Sequence, residues 1–410
     1  MDSKPVMNYI FRHRFAWAAA WVGVALILGA CATADPPAAP PRPPAGLFED
    51  AAFGAPSLRP DPDAVFALSP AMERYLAQDI SSLIRQLGPQ RALVDALHSK
   101  AQLRLEYDSE LTRTAAQAFD ARAGNCLSLV VMTAALAKRL ELPIAYQALV
   151  GHETWSRSGD LSFVNGHVNI TVAKRLVDRI AAFDADTQLR IEFGTIPVGR
   201  AQLLRVVSEA TIVSMFMNNR AAEYLVRGDF DNAYAHAREA VLQDPRHPGA
   251  YNTLGVIYQR RGMDPAAERA YRAALDLDGD HVPTLMNLSR MLERQGRAAD
   301  AAPLLARVAQ LERNPPFAHF DRGVAAAKAG DFRTARDEIE IEMRRDPDYH
   351  EFHFWLAVAL YGLGDTAQAR IHLTEAMKNS LTRREQAIYA GKLRSLEPAV
   401  SAATPGRAVN

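Results

Sequence analysis

A cysteine and a histidine, Cys126 and His167, are the residues of this 410-residue sequence best suited by type and setting to covalent chemistry. A cysteine attacks as its thiolate, so its surroundings must stabilise the anion. Cys126 follows Asn125, a residue that favours helix starts, and precedes a long apolar run. We expect it at a helix N-terminus, where free N–H groups stabilise negative charge. His167 could take the thiol proton and return it to a leaving amine.

The surrounding pattern predicts the elements that would position these two residues. An apolar helix is expected from Cys126 to Leu140, with Pro143 stopping it. Runs rich in β-branched and aromatic residues predict strands over 144–150, 164–172 and 179–183. Before the cysteine, the pattern predicts helices over 72–87 and 90–97 and a helix or turn over 110–122.

This order of elements resembles the transglutaminase-like superfamily, which is related in fold to papain-type cysteine peptidases. In that family the nucleophilic cysteine begins a helix after a glycine-containing turn, and a histidine lies on a following strand. Gly124-Asn125-Cys126 matches the first element, and Asn165-Gly166-His167-Val168-Asn169 matches the second. The resemblance covers about residues 105 to 195. It implies a cysteine peptidase or transamidase in which Cys126 attacks, His167 acts as base and then acid, and backbone N–H groups near Cys126 form an oxyanion hole.

The third member of the implied catalytic triad is an acid that orients the imidazole. In the family it lies inside the next strand, at about the place of Ala182. Asp184 is two residues later on the same strand face, so we predict Asp184 in this role and keep Asp186 as the alternative. His152 is a rival base. The displaced acid leaves open a domain that has lost catalysis and serves only recognition.

Other interpretations of these residues stay open. A lone cysteine is often a small buried hydrophobe, and His167 could be a satisfied core histidine. Trp155 could line the cleft or simply pack. Cys126, His152 and His167 are too scattered for a zinc signature, and the sequence has no glycine loop typical of phosphate binding. We therefore predict no metal and no cofactor.

The N-terminus resembles that of bacterial lipoproteins. Positive residues precede an apolar run over 15–28, and Leu28-Gly29-Ala30-Cys31 resembles a lipobox. The resemblance implies a signal peptide over 1–30, lipidation of Cys31, and an outer-membrane anchor facing the periplasm, because Ala32 rather than Asp follows the cysteine. An uncleaved transmembrane anchor is the alternative. The proline- and alanine-rich residues 31–47 predict a semi-rigid tether.

The C-terminal half repeats with a 34-residue period. Two series recur in register at this spacing: Ala233, Ala267, Ala301, Ala335 and Ala369, and Gly228, Gly262, Gly296, Gly330 and Gly364. Together with Tyr251, Leu254, Gly255 and Tyr258 in the best unit, the pattern is similar to the tetratricopeptide repeat. Ser289 and Glu342 depart from it without breaking the period. The glycines are expected to end the first helix of each pair in a left-handed conformation.

The predicted fold class is thus an α+β transglutaminase-like domain followed by an all-α tetratricopeptide-repeat solenoid. We predict the first domain over 48–200, a connecting helix over 201–213, five repeats over 214–383, a capping helix over 384–398 and a disordered tail over 399–410. Zero net charge gives no reason to expect a nucleic-acid partner. The predicted partner is a peptide or protein on the concave face of the repeats, and the membrane is contacted through the lipid. The main hypothesis is an envelope amide hydrolase or acyl-transferase; the alternative is an inactive scaffold for envelope complexes.

Overall fold

The computed structural model describes residues 42–99, 102–103, 105–108, 111–150, 154–158, 161–165, 167–175, 188–193, 203–311, 317–380 and 383–396. The chain divides into a unit ending at Arg42 and a second unit from Pro43, to which every element named below belongs. The expected signal peptide, Cys31 and most of the tether lie outside the described residues, as do His152, Asp184, Asp186 and the C-terminal tail. Within the described residues, no helix has both the length and the apolar character needed to cross a bilayer.

Five helices precede and enter the sheet region: α1 (Pro70–Arg74), α2 (Ser81–Leu87), α3 (Pro89–His98), α4 (Ala115–Ala121) and α5 (Cys126–Arg139). The segment predicted to be helical over 72–87 is helical, but it is interrupted near its middle. A π-helical turn, Tyr75–Asp79, separates α1 from α2, and Ile80 leaves the helical conformation with ψ of 5°. Helix α4 begins with a capping box, in which the Thr114 and Gln117 side chains each accept from the other's backbone N–H.

Among the described residues, an antiparallel sheet of four strands packs against α5. Its strands are β3 (Ile144–Val150), β6 (Val168–Ala173), β7 (Gln188–Ile191) and β8 (Leu203–Val207), in the spatial order β7-β6-β3-β8. Two smaller pairs accompany it: β1 (Glu106–Tyr107) parallel to β2 (Ala123–Gly124), and a hairpin of β4 (Thr154–Ser158) and β5 (Leu161–Asn165). Val168, Ile170 and Val172 alternate onto the face of β6 that joins the core with α5.

Two expectations about this region are wrong. The strand expected over 164–172 is divided between β5, which ends at Asn165, and β6, which begins at Val168; Asn-Gly pairs favour turns over extended pairing. The connecting helix expected over 201–213 is instead strand β8 followed by a helix that starts at Glu209. The apolar residues of β8 pair with β3, and Ser208 caps the helix by accepting from the Thr211 N–H. The strand expected over 179–183 lies outside the described residues.

The 34-residue period corresponds to five helical hairpins. They are α6 (Glu209–Val226) with α7 (Phe230–Gln243), α8 (Pro248–Arg260) with α9 (Asp264–Leu277), α10 (Val282–Arg294) with α11 (Ala298–Leu311), α12 (Ala318–Lys328) with α13 (Phe332–Met343), and α14 (His350–Gly362) with α15 (Thr366–Asn379). The five periodic glycines have φ between 75° and 86°, which confirms the expected left-handed turns. The periodic alanines are at most 1% exposed.

Small residues let the paired helices approach closely. A Cβ placed on Gly255 would lie 2.6 Å from the ring of Tyr271 on the partner helix. The two departures from the pattern are accommodated by polar bonds: the buried Ser289 hydroxyl donates to the Met286 carbonyl at 3.0 Å. Buried Glu342 accepts from the Phe317 N–H and pairs with Arg345, each at 3.1 Å.

The core is continuous from the sheet region through the first two repeats and into the third. The fourth and fifth repeats share a separate aromatic cluster around Phe317, Phe320 and Phe352. A last helix, α16 (Arg383–Ser395), packs on the fifth repeat through Leu393 and through Tyr389, whose ring stacks on Phe354. It covers apolar surface that a further repeat would otherwise cover.

Candidate functional site

Cys126 is the first residue of helix α5. The Asn125 side chain accepts from the Ser128 N–H at 2.9 Å, which is the geometry of an N-cap. This confirms the position predicted for the cysteine from its neighbours. Helix α5 is then buried along almost its whole length, so the start of the helix is fixed by the core beneath it.

The sulfur of Cys126 lies against the beginning of strand β6. Backbone N–H groups of Val168, Leu127 and Cys126 itself favour the thiolate and so act to lower the pKa of Cys126. Burial has the larger, opposite effect and raises the pKa of the Cys126 thiol. The residue as a whole is half-buried, so part of it remains accessible.

His167 directly precedes the residue that contacts the sulfur. Its Nε2 is buried and has no hydrogen-bond partner among the described residues. Burial lowers the pKa of His167, and the charge of Glu192 opposes that effect. The predicted nucleophile thus lies near the backbone at the start of β6, and the predicted base is the residue immediately before that strand.

Among the described residues, Glu192 is the acid whose charge raises the pKa of His167. This residue was not predicted from the sequence. It follows strand β7 and faces Asn169, whose Nδ2 lies 3.4 Å from its Oε1, while Arg190 pairs with it at 3.0 Å. The register pairs Ile170 with Ile191, which sets Glu192 opposite Asn169, on the same face of β6 as His167. The alternation of polar and apolar residues over 188–193 is the signal that could have revealed this strand and its acid.

Burial favours the neutral form of both groups, the thiol of Cys126 and the imidazole of His167. A raised cysteine pKa and a lowered histidine pKa both disfavour a preformed thiolate–imidazolium pair. Two side-chain oxygens of the sheet, Asn169 Oδ1 and Gln147 Oε1, are buried and also lack partners among the described residues. Their residues are cross-strand neighbours on β6 and β3.

The loop before α4 is tied both to the start of α5 and to the repeats. Thr112 accepts from Asn125 Nδ2 at 2.9 Å through its hydroxyl, and the Arg113 N–H donates to Ser128 Oγ at 2.8 Å. The Thr112 N–H donates at 2.7 Å to Glu223, which lies on α6, the first repeat helix. The segment around Cys126 is thus held from two sides.

Tyr107 is a further residue near the thiol that the sequence did not indicate. Burial, followed by the charges of Cys126 and Asp108, raises the pKa of its hydroxyl to about 12. More than half of the residue is nevertheless exposed, at 57%. Within the described ranges, no three His, Cys, Asp or Glu side chains are grouped as a metal site would require.

Comparison with known proteins concerns the repeats. Residues 218–387 match the family described as the Cilia and flagella-associated protein 70 middle TPR-like domain. They form a TPR-like domain, in which the five hairpins described above are the repeat units. The match does not extend to the sheet region that contains Cys126.

Individual relatives match over part of their length. Cellulose synthase operon protein C of Xanthomonas axonopodis pv. citri is 32% identical over 152 residues, which are 35% of this chain and 10% of that protein. Protein O-mannosyl-transferase TMTC2 of Homo sapiens is 27% identical over 103 residues, 24% of this chain and 12% of that one. The chain thus spans about a tenth of the length of these curated relatives. PilF of Pseudomonas aeruginosa, a solved structure, shares 21% identity with a TM-score of 0.30, covering 45% of this chain and 92% of its own.

Proposed function

We propose that this chain is an envelope lipoprotein whose sheet domain is a transglutaminase-like, cysteine-dependent amide hydrolase or acyl-transferase, and whose repeats recruit the peptide or protein substrate. The observation that carries the proposal is the convergence at the start of β6. The Cys126 sulfur lies at the Val168 N–H, the adjacent His167 has a free buried nitrogen, and Glu192 acts on that histidine from β7.

The proposed reaction starts from the neutral pair. Cys126 sulfur forms a bond to an amide carbonyl carbon while its proton passes to His167. The N–H groups of Cys126 and Leu127 stabilise the oxyanion. The C–N bond then breaks, and His167 gives the proton to the departing amine. Water, or a second amine, attacks the resulting thioester and releases Cys126, which gives hydrolysis or acyl transfer.

Glu192 takes the role for which Asp184 was the first candidate. A carboxylate beside an imidazole stabilises its protonated form and fixes its orientation. The charge of Glu192 favours the protonated form of His167, and Glu192 contacts Asn169, which lies two residues from His167 on the same strand face. Asp184 and Asp186 lie outside the described residues and stay as alternatives.

The decisive experiment is to trap the acyl-enzyme. The full chain is incubated with a mixture of peptides carrying side-chain and backbone amides, and intact mass with site mapping locates any thioester. We expect an adduct on Cys126 that hydroxylamine releases as a hydroxamate. His167→Ala should abolish it, whereas the exposed His98→Ala, on α3, should not. Equal adduct in Cys126→Ser would refute the assignment.

A second candidate is an inactive recognition domain joined to a repeat scaffold, and the raised pKa of the Cys126 thiol favours it. Two mutant strains distinguish the enzymatic function from the scaffold function. A Cys126→Ala strain is compared under envelope stress with one lacking residues 209–396, the repeats and their cap. If Cys126→Ala alone reproduces the complete loss, the scaffold function is excluded; if it behaves as wild type, the enzyme is.

The proposed location is the periplasmic face of the outer membrane, through lipid on Cys31. Its support is the lipobox-like residues 28–31 and the Ala32 that follows. We expect intact mass of detergent-extracted protein to show diacylglycerol and an N-acyl chain on Cys31. Cys31→Ser should leave the signal uncleaved and the lipid absent.

A further inference from the structure

An N-terminal segment of the chain lies along the first two repeats. Residues 47–58, here called the arm, contact helices α7, α8 and α9, although they are more than 170 positions away in sequence. The Tyr258 hydroxyl donates to the Leu47 carbonyl at 2.8 Å and accepts from the Glu49 N–H at 3.1 Å. One side chain of the second repeat thereby holds two backbone groups of the arm.

The first repeat holds the arm backbone further along. Asp231 Oδ1 accepts from the Gly54 N–H at 2.9 Å, and Asn232 Oδ1 accepts from the Leu58 N–H at 3.0 Å. Asn232 also donates to the Ser57 hydroxyl at 2.8 Å. Side chains of the repeats thus bond to the arm backbone at four residues, 47, 49, 54 and 58.

Acidic side chains of the arm meet basic and hydroxyl groups of the repeats. Asp50 accepts from the Tyr234 hydroxyl at 2.6 Å and pairs with Arg238 at 3.0 Å. Glu49 pairs with Arg269. The surface therefore selects two adjacent carboxylates by charge and by hydrogen-bond geometry.

An aromatic residue completes the recognition. The ring of Phe53 stacks on Tyr234 with centroids 4.0 Å apart and an interplanar angle of 4°. A Cβ on the following Gly54 would lie 2.9 Å from the Asp231 carboxylate, so this acceptor side chain would have to shift. The arm motif is Glu-Asp-x-x-Phe-Gly.

This surface is particular to the first two repeats. One period later, the residues that replace Tyr234, Tyr258 and Arg269 are Glu268, Leu292 and Pro303. Glu268 pairs with Arg272 and Arg297 on the repeats themselves and offers no hydroxyl to a carboxylate. The contacts to the arm are thus not a by-product of the repeat consensus.

We propose that this surface is a recognition site for a segment of a partner protein bearing two adjacent acidic residues and a phenylalanine three positions later, and that the arm is a built-in occupant which the partner displaces. The ion pairs of the arm are partly exposed, with the Asp50 side chain 62% exposed and that of Glu49 36%. Exposed pairs are exchanged with water at little cost. The site does not involve Cys126, so it stands whether or not the sheet domain is catalytic.

The test uses a fluorescent synthetic peptide of residues 45–60 and the full chain. An intramolecular arm competes at roughly millimolar effective concentration. Weakening it by Asp50→Asn with Phe53→Ala should therefore raise peptide affinity by about 10-fold or more over the wild-type chain. A peptide carrying the same two changes should not bind. The single variant Asp50→Asn is expected to give a smaller gain in peptide affinity. It is used in place of the double variant if that variant unfolds.

The receptor side is tested in the same background. Adding Tyr234→Phe keeps the ring but removes the hydroxyl that donates to the acid, and should weaken peptide binding by about 5-fold. The arm variant is first shown to be folded by circular dichroism and melting that are unchanged from the wild-type chain. Peptide is then added up to roughly 1 mM, the effective concentration of the intramolecular arm. If the folded variant binds no peptide in this range, the arm is only structural and the proposal fails. Light scattering and inter-chain cross-linking of residue 53 to residue 234 test whether the wild-type chain forms a concentration-dependent dimer with exchanged arms. Such a dimer would mean that the segment displacing the arm comes from a second copy of this chain and not from a partner protein.

Discussion

Glu223, on the first helix of the repeats, accepts a hydrogen bond from the backbone N–H of Thr112 at 2.7 Å. The Thr112 hydroxyl in turn accepts from the Asn125 side chain, which caps the helix begun by Cys126. A carboxylate of the binding module therefore helps to fix the segment that carries the proposed nucleophile. Its own position is set by Arg220, which pairs with it at 2.6 Å.

Removing this acceptor should disturb the thiol more than an equivalent change elsewhere. Glu223→Ala leaves the Thr112 N–H without its partner, and we expect about 1–3 kcal/mol of destabilisation, the typical cost of an unmade buried bond. The alkylation rate of Cys126, followed by mass spectrometry of its peptide, should change as well. The matched control is Glu209→Ala, because Glu209 joins the same helix α6 to Lys138 near the far end of α5. Equal effects of both variants on alkylation would contradict a positioning role for Glu223.

The pH profile of Cys126 alkylation should have its midpoint above the ordinary cysteine value of about 8.5. Burial raises the pKa of this thiol despite three N–H donors. Alkylation of the Cys126 peptide by iodoacetamide, measured between pH 6 and 10, gives the midpoint directly, with unfolded protein in denaturant as the reference. A fast rate that stays level down to pH 5 would instead reveal a preformed thiolate–imidazolium pair.

The charge of Glu192 should be detectable at His167. Because this carboxylate opposes the lowering of the His167 pKa by burial, Glu192→Gln should lower that pKa further. NMR titration of the His167 ring proton measures the shift, and Glu106→Gln on the exposed strand β1 serves as control. If the His167 pKa is unmoved, Glu192 does not act on it and one of the acids outside the described residues must take its place.

Stability should fall as pH drops from about 6.5 towards 4. Burial lowers the pKa of both His247 and His281 to about 4, so the unfolded chain binds more protons than the native one in this window. The contribution to the free energy of unfolding is thus complete above the unfolded pKa and lost on acidification, on the order of 1–3 kcal/mol per histidine. Urea unfolding at several pH values measures this slope. His247→Asn, which can still bond to Ser214, should reduce it, while the exposed His98→Gln should not.

Gly255→Ala should destabilise the second repeat. The added methyl would lie 2.6 Å from the Tyr271 ring, and overpacking of this kind costs about 1–3 kcal/mol, partly offset by the higher helix propensity of alanine. Gly391→Ala in helix α16 is the matched control, since its nearest neighbour is an arginine end 4.0 Å away. Thermal melting should show a lower midpoint for the first variant and an unchanged or higher one for the second.

The repeats could be read from the sequence because their signals are local and recur. A glycine every 34 residues dictates a left-handed turn, and each recurrence supports the others. The start of helix α5 was likewise readable, since Asn125 is a strong cap before an apolar run. These elements follow from short-range chemistry that neighbouring residues specify by themselves.

The rest depends on pairing between distant segments. The short run Leu203–Val207 is compatible with either a strand or a helix when it is taken alone. Its backbone pairing with β3 makes it strand β8. Glu192 lies opposite Asn169, two residues from His167, only through the register of β6 and β7. We predicted residues 47–58 to be the end of a tether and the beginning of a domain. No local sequence pattern identifies Tyr234 and Tyr258 as the residues that bind this arm.

A single residue, Ser208, separates the sheet's edge strand from the first repeat helix. The sheet domain and the repeats therefore cannot be separated at this point without disrupting one of them. A gene fragment beginning at residue 214 would truncate helix α6 and remove its serine cap, and one ending at residue 200 would strip the sheet of β8 and uncover β3. Recombination that preserved both halves would have to cut within this one-residue joint, so the pair is expected to have been inherited together.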